Sequence, residues 1–368
     1  MRNSPLFQPG KLAHIELKNS LVVAPLTRVS AAVNGDIGPL MPDYYEAFAK
    51  GGFGLIITEG TYTDNAYSQG YAYQPGIITD AQLEGWRAIV ERVHAAGGKI
   101  IMQLMHAGAL SQHNEYTSIS KAPSAIRPKG AQMELYRGSG LYRLPVEMTI
   151  AEIENVIAGF VASALRAKEA GFDGVEVHGA NGYLLDQFLT DYTNTRSDLY
   201  GGSTAARILL TTEIIQKIKA VVGEGFIVGV RISQAKVNDY NHKWAGAEDD
   251  AAIIFKAIAD VGADYIHTTE HEAWRPSFGE DGLSLAAYAK KYSGLPVVAN
   301  GGLNNVPEAE AMLGREEAAF ISLGRAAIAN SDWPNQVMAG AKSLEFDQSL
   351  LSPIANIENT LKVQAQAA

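Results

Sequence analysis

The sequence predicts a (β/α)8 barrel with an N-terminal hairpin and a capping segment inserted after the third strand. Three observations predict it: eight short Val/Ile-rich runs punctuate the chain, longer amphipathic stretches separate them, and each run finishes in something polar. Buried parallel strands read as continuous apolar runs because helices cover one face and the barrel interior the other. With 368 residues, 47% of them hydrophobic, the chain can bury one such core, and 1–368 reads as a single domain.

In chain order, the first twenty residues hold a small hairpin that closes one barrel mouth. The strand runs are LVVAP at 21–25, LIITEG at 55–60, KIIMQLMH at 99–106, GVEVHGA at 174–180, FIVGVRIS at 226–233, YIHTTE at 265–270, PVVANGG at 296–302 and AAFISLGR at 318–325. Between them, 80–96, 149–170, 204–222 and 247–261 read as helices. Thr149 and Glu152 have capping-box spacing, and Gly171 is placed to stop the helix that follows them. From 111 to 148 the period breaks into a Pro-, Gly- and Tyr-rich excursion, either merely peripheral or a cover over the active-site mouth, the cover being favoured because it follows strand 3 on the side where barrels bind ligands. A doubly wound sheet would need a G-x-G-x-x-G fingerprint after its first strand, and LVVAPLTRVS at 21–30 has none.

Composition narrows the chemistry. The chain has no cysteine, which excludes disulfides, thiolate metal sites and thiol nucleophiles, so redox work needs a bound cofactor. A formal charge of -10 without a Lys/Arg stripe argues against a nucleic acid partner. No apolar run is long enough for a membrane span, and MRNSPLFQPG shows neither a basic leader nor an apolar core, so a soluble, cytoplasmic protein is expected.

The polar strand ends are Thr27 and Arg28, Glu59, Gln103 and His106, His178 and Asn181, Arg231, His267 and Thr268, Asn300, and Arg325. In a barrel these converge on one mouth. His178 and Asn181 offer two neutral donors to a carbonyl or nitro oxygen, and Tyr183 suits protonation of a carbanion. Alternatively, His178 bonds within the rim and Tyr183 packs a helix. Gly302 in NGGL and Gly324 with Arg325 in SLGRA mark strand-to-helix junctions where backbone N–H groups favour a phosphate, of substrate or of cofactor. Gln103 and Arg231 can present an amide and a guanidinium to a flat polar ring such as a flavin; the plainer reading pairs Arg231 with Glu59. A zinc site from His106, His178, His267 and Glu59 is the metal alternative, and it lacks an HxH on the first strand. No metal is expected. No strand end supplies a lysine, which disfavours a barrel aldolase.

These residues resemble the Old Yellow Enzyme family of FMN-dependent ene-reductases over about 6–338. The resemblance is carried by APLTR at 24–28, TEGTYTDNAYSQGY at 58–71, PGIITDAQLEGW at 75–86, QLMHAG at 103–108, HGANGYLLDQFL at 178–189, NTRSDLYGGS at 194–203, VRIS, ANGG and SLGRA. It implies FMN at the barrel mouth, with Pro25, Thr27, Gly60, Gln103 and Arg231 at the ring or ribityl chain and Gly302, Gly324 and Arg325 at the phosphate. Thr27 would bond the flavin O4 region, at a position that is cysteine in one branch of the family. The implied reaction passes hydride from NADPH or NADH through flavin N5 to the β-carbon of an activated alkene such as an enone. His178 and Asn181 would hold the activating oxygen and Tyr183 would protonate the α-carbon. A nitro or nitrate-ester reductase on the same flavin, and a flavin-binding protein without turnover, are the alternatives. Two departures bear on substrate range: Ala109 stands where the family's HxGR has arginine, and HEAWRPSF at 271–278 brings Trp274, expected to narrow the pocket. The sequence does not choose NADH over NADPH, or monomer over dimer.

Overall fold

The structure is a computed structural model that describes residues 4–367; positions 1–3 and 368 of the expected domain lie outside them. Among the described residues thirteen strands form: β1 Gly10–Leu12, β2 Ile15–Leu17, β3 Leu21–Val23, β4 Leu55–Ile57, β5 Thr61–Tyr62, β6 Lys99–Met105, β7 Lys121–Ala122, β8 Val146–Glu147, β9 Gly174–Asn181, β10 Ile227–Lys236, β11 Tyr265–Thr269, β12 Val297–Asn300 and β13 Phe320–Leu323. β3, β4, β6, β9, β10, β11, β12 and β13 pair in parallel in that order, and β13 returns to β3, so the sheet closes. Each predicted run coincides with one barrel strand, the fourth running one residue further, to Asn181. The first stops at Val23, two residues before Pro25, which has no N–H for a ladder. The fifth runs on beyond Ser233 to Lys236, through a register shift against β9 between Ile232 and Lys236.

The four predicted helices form at Asp80–Ala95, Ile150–Glu169, Leu209–Val222 and Ala247–Asp260, with Thr204–Arg207 as a separate turn. Thr149 Oγ1 accepts from the Glu152 N–H at 3.2 Å while Glu152 Oε2 accepts from the Thr149 N–H at 2.9 Å. Thr79 and Gln82 build the same reciprocal cap on the helix before, at a spacing the sequence also displays. Helices Met41–Lys50, Leu285–Ser293, Val306–Gly314 and Ile357–Ala367 were not among the predicted ones.

Two cores follow from the closed sheet. Outside it, strand residues such as Val175, Val177, Val228 and Val230 meet the helical faces of Trp86, Phe160 and Phe255. Each such fully buried side chain contributes about 1.5–3 kcal/mol relative to exposure. Inside, at the N-terminal end, Leu12, Ile15 and Leu17 of the antiparallel β1–β2 hairpin pack on Val22, Ile57, Ile101 and Phe320, so the hairpin plugs the lower mouth. Above that plug the interior turns polar.

The excursion after β6 holds the parallel β7–β8 pair and a turn at Glu134–Tyr136. Its Met133, Tyr136 and Tyr142 pack with Tyr71, Met105 and Tyr183 at the C-terminal end of the barrel. The last helix is tied to the first barrel strand by Arg28, whose Nη2 donates to Asn356 O at 2.7 Å and Thr360 Oγ1 at 2.5 Å.

Candidate active site

The site begins with alternation along β9. Val175 and Val177 face the helices, so Glu176 and His178 face the barrel interior. On β10, Val230 and Ile232 face out, which turns Arg231 inward beside His178, its register partner. Glu176 is fully buried and accepts three hydrogen bonds: from Gln103 Nε2 at 2.8 Å, Tyr265 Oη at 2.9 Å and His267 Nδ1 at 2.8 Å. Tyr265 reaches it because Gly229 leaves room; a Cβ there would stand 2.1 Å from the Tyr265 ring. His267 continues through Nε2 to Ser322 Oγ at 2.8 Å.

One turn nearer the mouth, Asn181 adopts φ +63, a left-handed conformation that asparagine tolerates. Its N–H donates to Ser233 Oγ at 2.8 Å and its carbonyl accepts from the Val237 N–H at 3.1 Å. Tyr183 opens helix Leu184–Leu189; its ring lies 5.0 Å from that of His178, and its hydroxyl is 2.5 Å from Tyr71 Oη. Burial, aided by the Arg231 charge, pulls His178 down to about 3, and its Nδ1 has no hydrogen-bond partner. Burial likewise raises Tyr183, so this phenol stays protonated at neutral pH. Burial pushes Glu176 up, but His267, Arg231 and the hydrogen bonds more than offset it and leave the carboxyl below its usual range.

A cavity of about 540 Å³ opens beside these strand ends. Of the sequence-predicted residues, Pro25, Asn181, Arg231, Gly302, Gly324 and Arg325 line it, while Thr27, Gly60, Gln103, His178 and Tyr183 stand outside its lining. Gly301 and Gly302 have φ +136 and +66, and a Cβ on Gly301 would stand 2.1 Å from the Glu270 carbonyl oxygen, so this wall is bare backbone of necessity. Thr27 bonds Tyr136 of the excursion. Gly60 sits against Met105, whose sulfur would be 2.3 Å from an added Cβ.

The geometry removes some of the alternatives and corrects other expectations. Arg231 does not pair with Glu59: its Nη2 donates to Asn300 Oδ1 at 2.9 Å and the carboxylate in its field is Glu176, whereas Glu59 accepts from the Arg28 N–H at 2.9 Å and lies near Tyr45. His267 is not at the mouth but buried in the polar layer, His106 accepts from the Gly108 N–H, and among the described residues no three His, Asp or Glu side chains are grouped so as to hold a metal ion. A lysine does end a strand. Lys236 lines the cavity, yet its three N–H donors are taken by both Asp186 oxygens at 2.8 and 2.9 Å and by Gln234 O at 3.3 Å, which removes it as a nucleophile. Trp274 packs against Gly302 and the core and is not part of the cavity lining. Sequence reasoning missed Glu176, Asp186 and Lys236. The signal for Glu176 was a carboxylate in the middle of an apolar strand run.

Residues 5–343 match the model of the NADH:flavin oxidoreductase / NADH oxidase family. The chain is 33% identical over 346 residues to the NADH oxidase of Thermoanaerobacter brockii, covering 92% of this chain and 51% of that protein; it therefore spans about half that relative's length. The old yellow enzyme homologue from Zymomonas mobilis superposes with TM-score 0.87 at 31% identity, over 96% of this chain and 98% of that one. Morphinone reductase in complex with tetrahydroNAD does so with TM-score 0.85 at 32% identity, over 97% of each chain. Among the described residues, no helix is long and apolar enough to cross a membrane.

Proposed function

Because the chain belongs to the NADH:flavin oxidoreductase / NADH oxidase family, we propose that it binds FMN at the barrel mouth and reduces alkenes activated by a carbonyl or nitro group, with NADH or NADPH as donor. The observation that carries this reading is the grouping of His178, Asn181 and Tyr183 at the end of β9, with Arg231 beside them on the cavity wall.

The residues fit the cofactor. Arg231 Nε is buried without a partner, and the Gly301–Gly302 wall is stripped of side chains. Gln103 and Arg231, with Pro25, Thr27 and Gly60, would hold the ring and ribityl chain; Gly302, Gly324 and Arg325 would hold the phosphate. When bound, FMN supplies a two-electron hydride carrier that a flat nicotinamide and a flat alkene can each stack against in turn.

The side chains then divide the remaining work. Arg231 would hold the ring with a positive charge that favours its accepting negative charge. His178, neutral because burial and Arg231 hold it far below 6.5, donates a hydrogen bond to the activating oxygen without delivering a proton to it. Asn181 is the second donor, its backbone fixed on both sides to β10 and the residues after it. Tyr183 gives its proton to the α-carbon, and the excursion residues Tyr136 and Tyr142 pack beside it and keep it from bulk water.

An anaerobic visible spectrum of the purified protein tests the proposal. Flavin absorption should bleach with NADH or NADPH and return with 2-cyclohexenone. A chain that takes up no FMN overturns the reading, and a flavin that bleaches but ignores the enone moves the activity to nitro compounds or nitrate esters.

A further inference from the structure

We propose that Glu176 is a positioning residue that fixes the polarity of the Gln103 amide, so that its carbonyl oxygen is offered to the N–H of the pyrimidine edge of the bound flavin. The inference rests on the flavin reading above. A carboxylate only accepts hydrogen bonds. Glu176 Oε2 is occupied by Tyr265 Oη and His267 Nδ1, and Oε1 takes Gln103 Nε2 at 2.8 Å. One N–H of the amide nitrogen is thus committed inward, which fixes which way the amide is turned. The other amide atom, Oε1, is the one left to face a ligand.

The commitment is held from several sides. Tyr265, on the neighbouring side of the barrel, has space only because residue 229 is glycine. His267 faces Glu176 with Nδ1 and Ser322 Oγ with Nε2, and because a carboxylate only accepts, the Nδ1 that meets it carries the proton. The Gln103 backbone is itself fixed, its N–H donating to Thr58 Oγ1 at 3.0 Å. The buried groups facing the carboxylate are therefore Gln103, Tyr265 and His267, with Arg231 acting through its charge. None leaves the amide a reason to turn over.

The consequence is a sorting of ligand edges. A ring nitrogen bearing hydrogen, as N3 of an isoalloxazine does, finds an acceptor; a carbonyl in the same place would meet another oxygen. Replacing Glu176 by Gln reverses this. With Tyr265 and His267 still donating, the new amide oxygen stays on their side and its nitrogen faces Gln103, which must then flip and present its own nitrogen outward.

The test uses the full chain reconstituted with 15N-labelled FMN and reads exchange of the flavin N3 proton with water by NMR. In the unsubstituted holoprotein, exchange should be slowed by at least about tenfold relative to free FMN, the value of one buried hydrogen bond. In E176Q that protection should vanish. The double exchange Q103E/E176Q keeps the hydrogen bond and the net charge with the roles reversed, returns an acceptor to the outer position, and should restore the protection even where the single variant folds poorly. Equal protection in E176Q and the unsubstituted chain, or none in a folded, FMN-loaded double variant, overturns the role of Glu176 and leaves the flavin reading standing. Failure of the unsubstituted chain to take up FMN overturns both.

Discussion

The hydroxyls of Tyr71 and Tyr183 lie 2.5 Å apart, 112 residues distant in sequence and both buried. Each phenol has one proton. Burial raises both, Tyr71 well above its usual value, whereas the bond from Tyr71 works to lower Tyr183. Either hydroxyl can donate across this contact; when Tyr71 donates, the Tyr183 proton is left for a substrate. Tyr71→Phe should slow alkene reduction by about three- to tenfold, the value of one hydrogen bond to a developing phenolate, and spare flavin reduction by the nicotinamide. Tyr183→Phe should cost more in the same half-reaction. Stopped-flow traces of the two half-reactions decide it; equal loss in both removes the donor role.

Acid should destabilise the fold through its histidines. His178 titrates near 3 in the folded chain against 6.5 when unfolded, and His106 and His267 are depressed too, all chiefly by burial. Between those values the unfolded chain binds protons that the folded one refuses. Stability is therefore intact above about 6.5 and falls as pH drops toward 3, by about 1.4 kcal/mol per pH unit for His178, with His106 and His267 acting in the same direction. Urea midpoints measured from pH 8 to pH 4 should decline, less steeply in His178→Asn. A flat profile contradicts the neutral assignment.

The pair Lys236–Asp186, with side chains 2% and 0% exposed, braces the turn that carries Asn181 and Tyr183, because Asp186 also accepts from the Gly182 N–H at 2.6 Å. Lys236→Met strands a buried carboxylate and should destabilise by about 3–5 kcal/mol. Adding Asp186→Asn should recover part of this by removing the stranded charge. Chemical denaturation of the single and double variants measures the coupling.

Arg28 holds the C-terminal helix through Thr360 and Asn356. Thr360→Val leaves part of a buried guanidinium unpaired and should cost about 1–3 kcal/mol. The loss should be local: amide exchange in Ile357–Ala367 should accelerate while the barrel strands keep their protection. Unchanged exchange in that helix would show that Arg28 is not its anchor.

The barrel was legible because its strands are short β-branched runs and its helices amphipathic, properties that belong to neighbouring residues. The block from His178 to Tyr183 was legible for the same reason, since its members share one strand end. The direction in which buried polar residues point was not. A strand covered on both faces shows no apolar–polar alternation, so the sequence marks Glu176 and His267 as polar positions within apolar runs but does not tell which face they take or that they meet until the sheet closes. Lys236 needed a register shift to come level with Asn181, and Asp186 could be recognised as its partner only once the helix after Tyr183 was folded against that strand. Arg28 meets Thr360 across 332 residues. Local periodicity, carried by adjacent side chains, determined which segments are strand and helix; partnership among buried charges depends on barrel closure and register, and only the tertiary structure decided it.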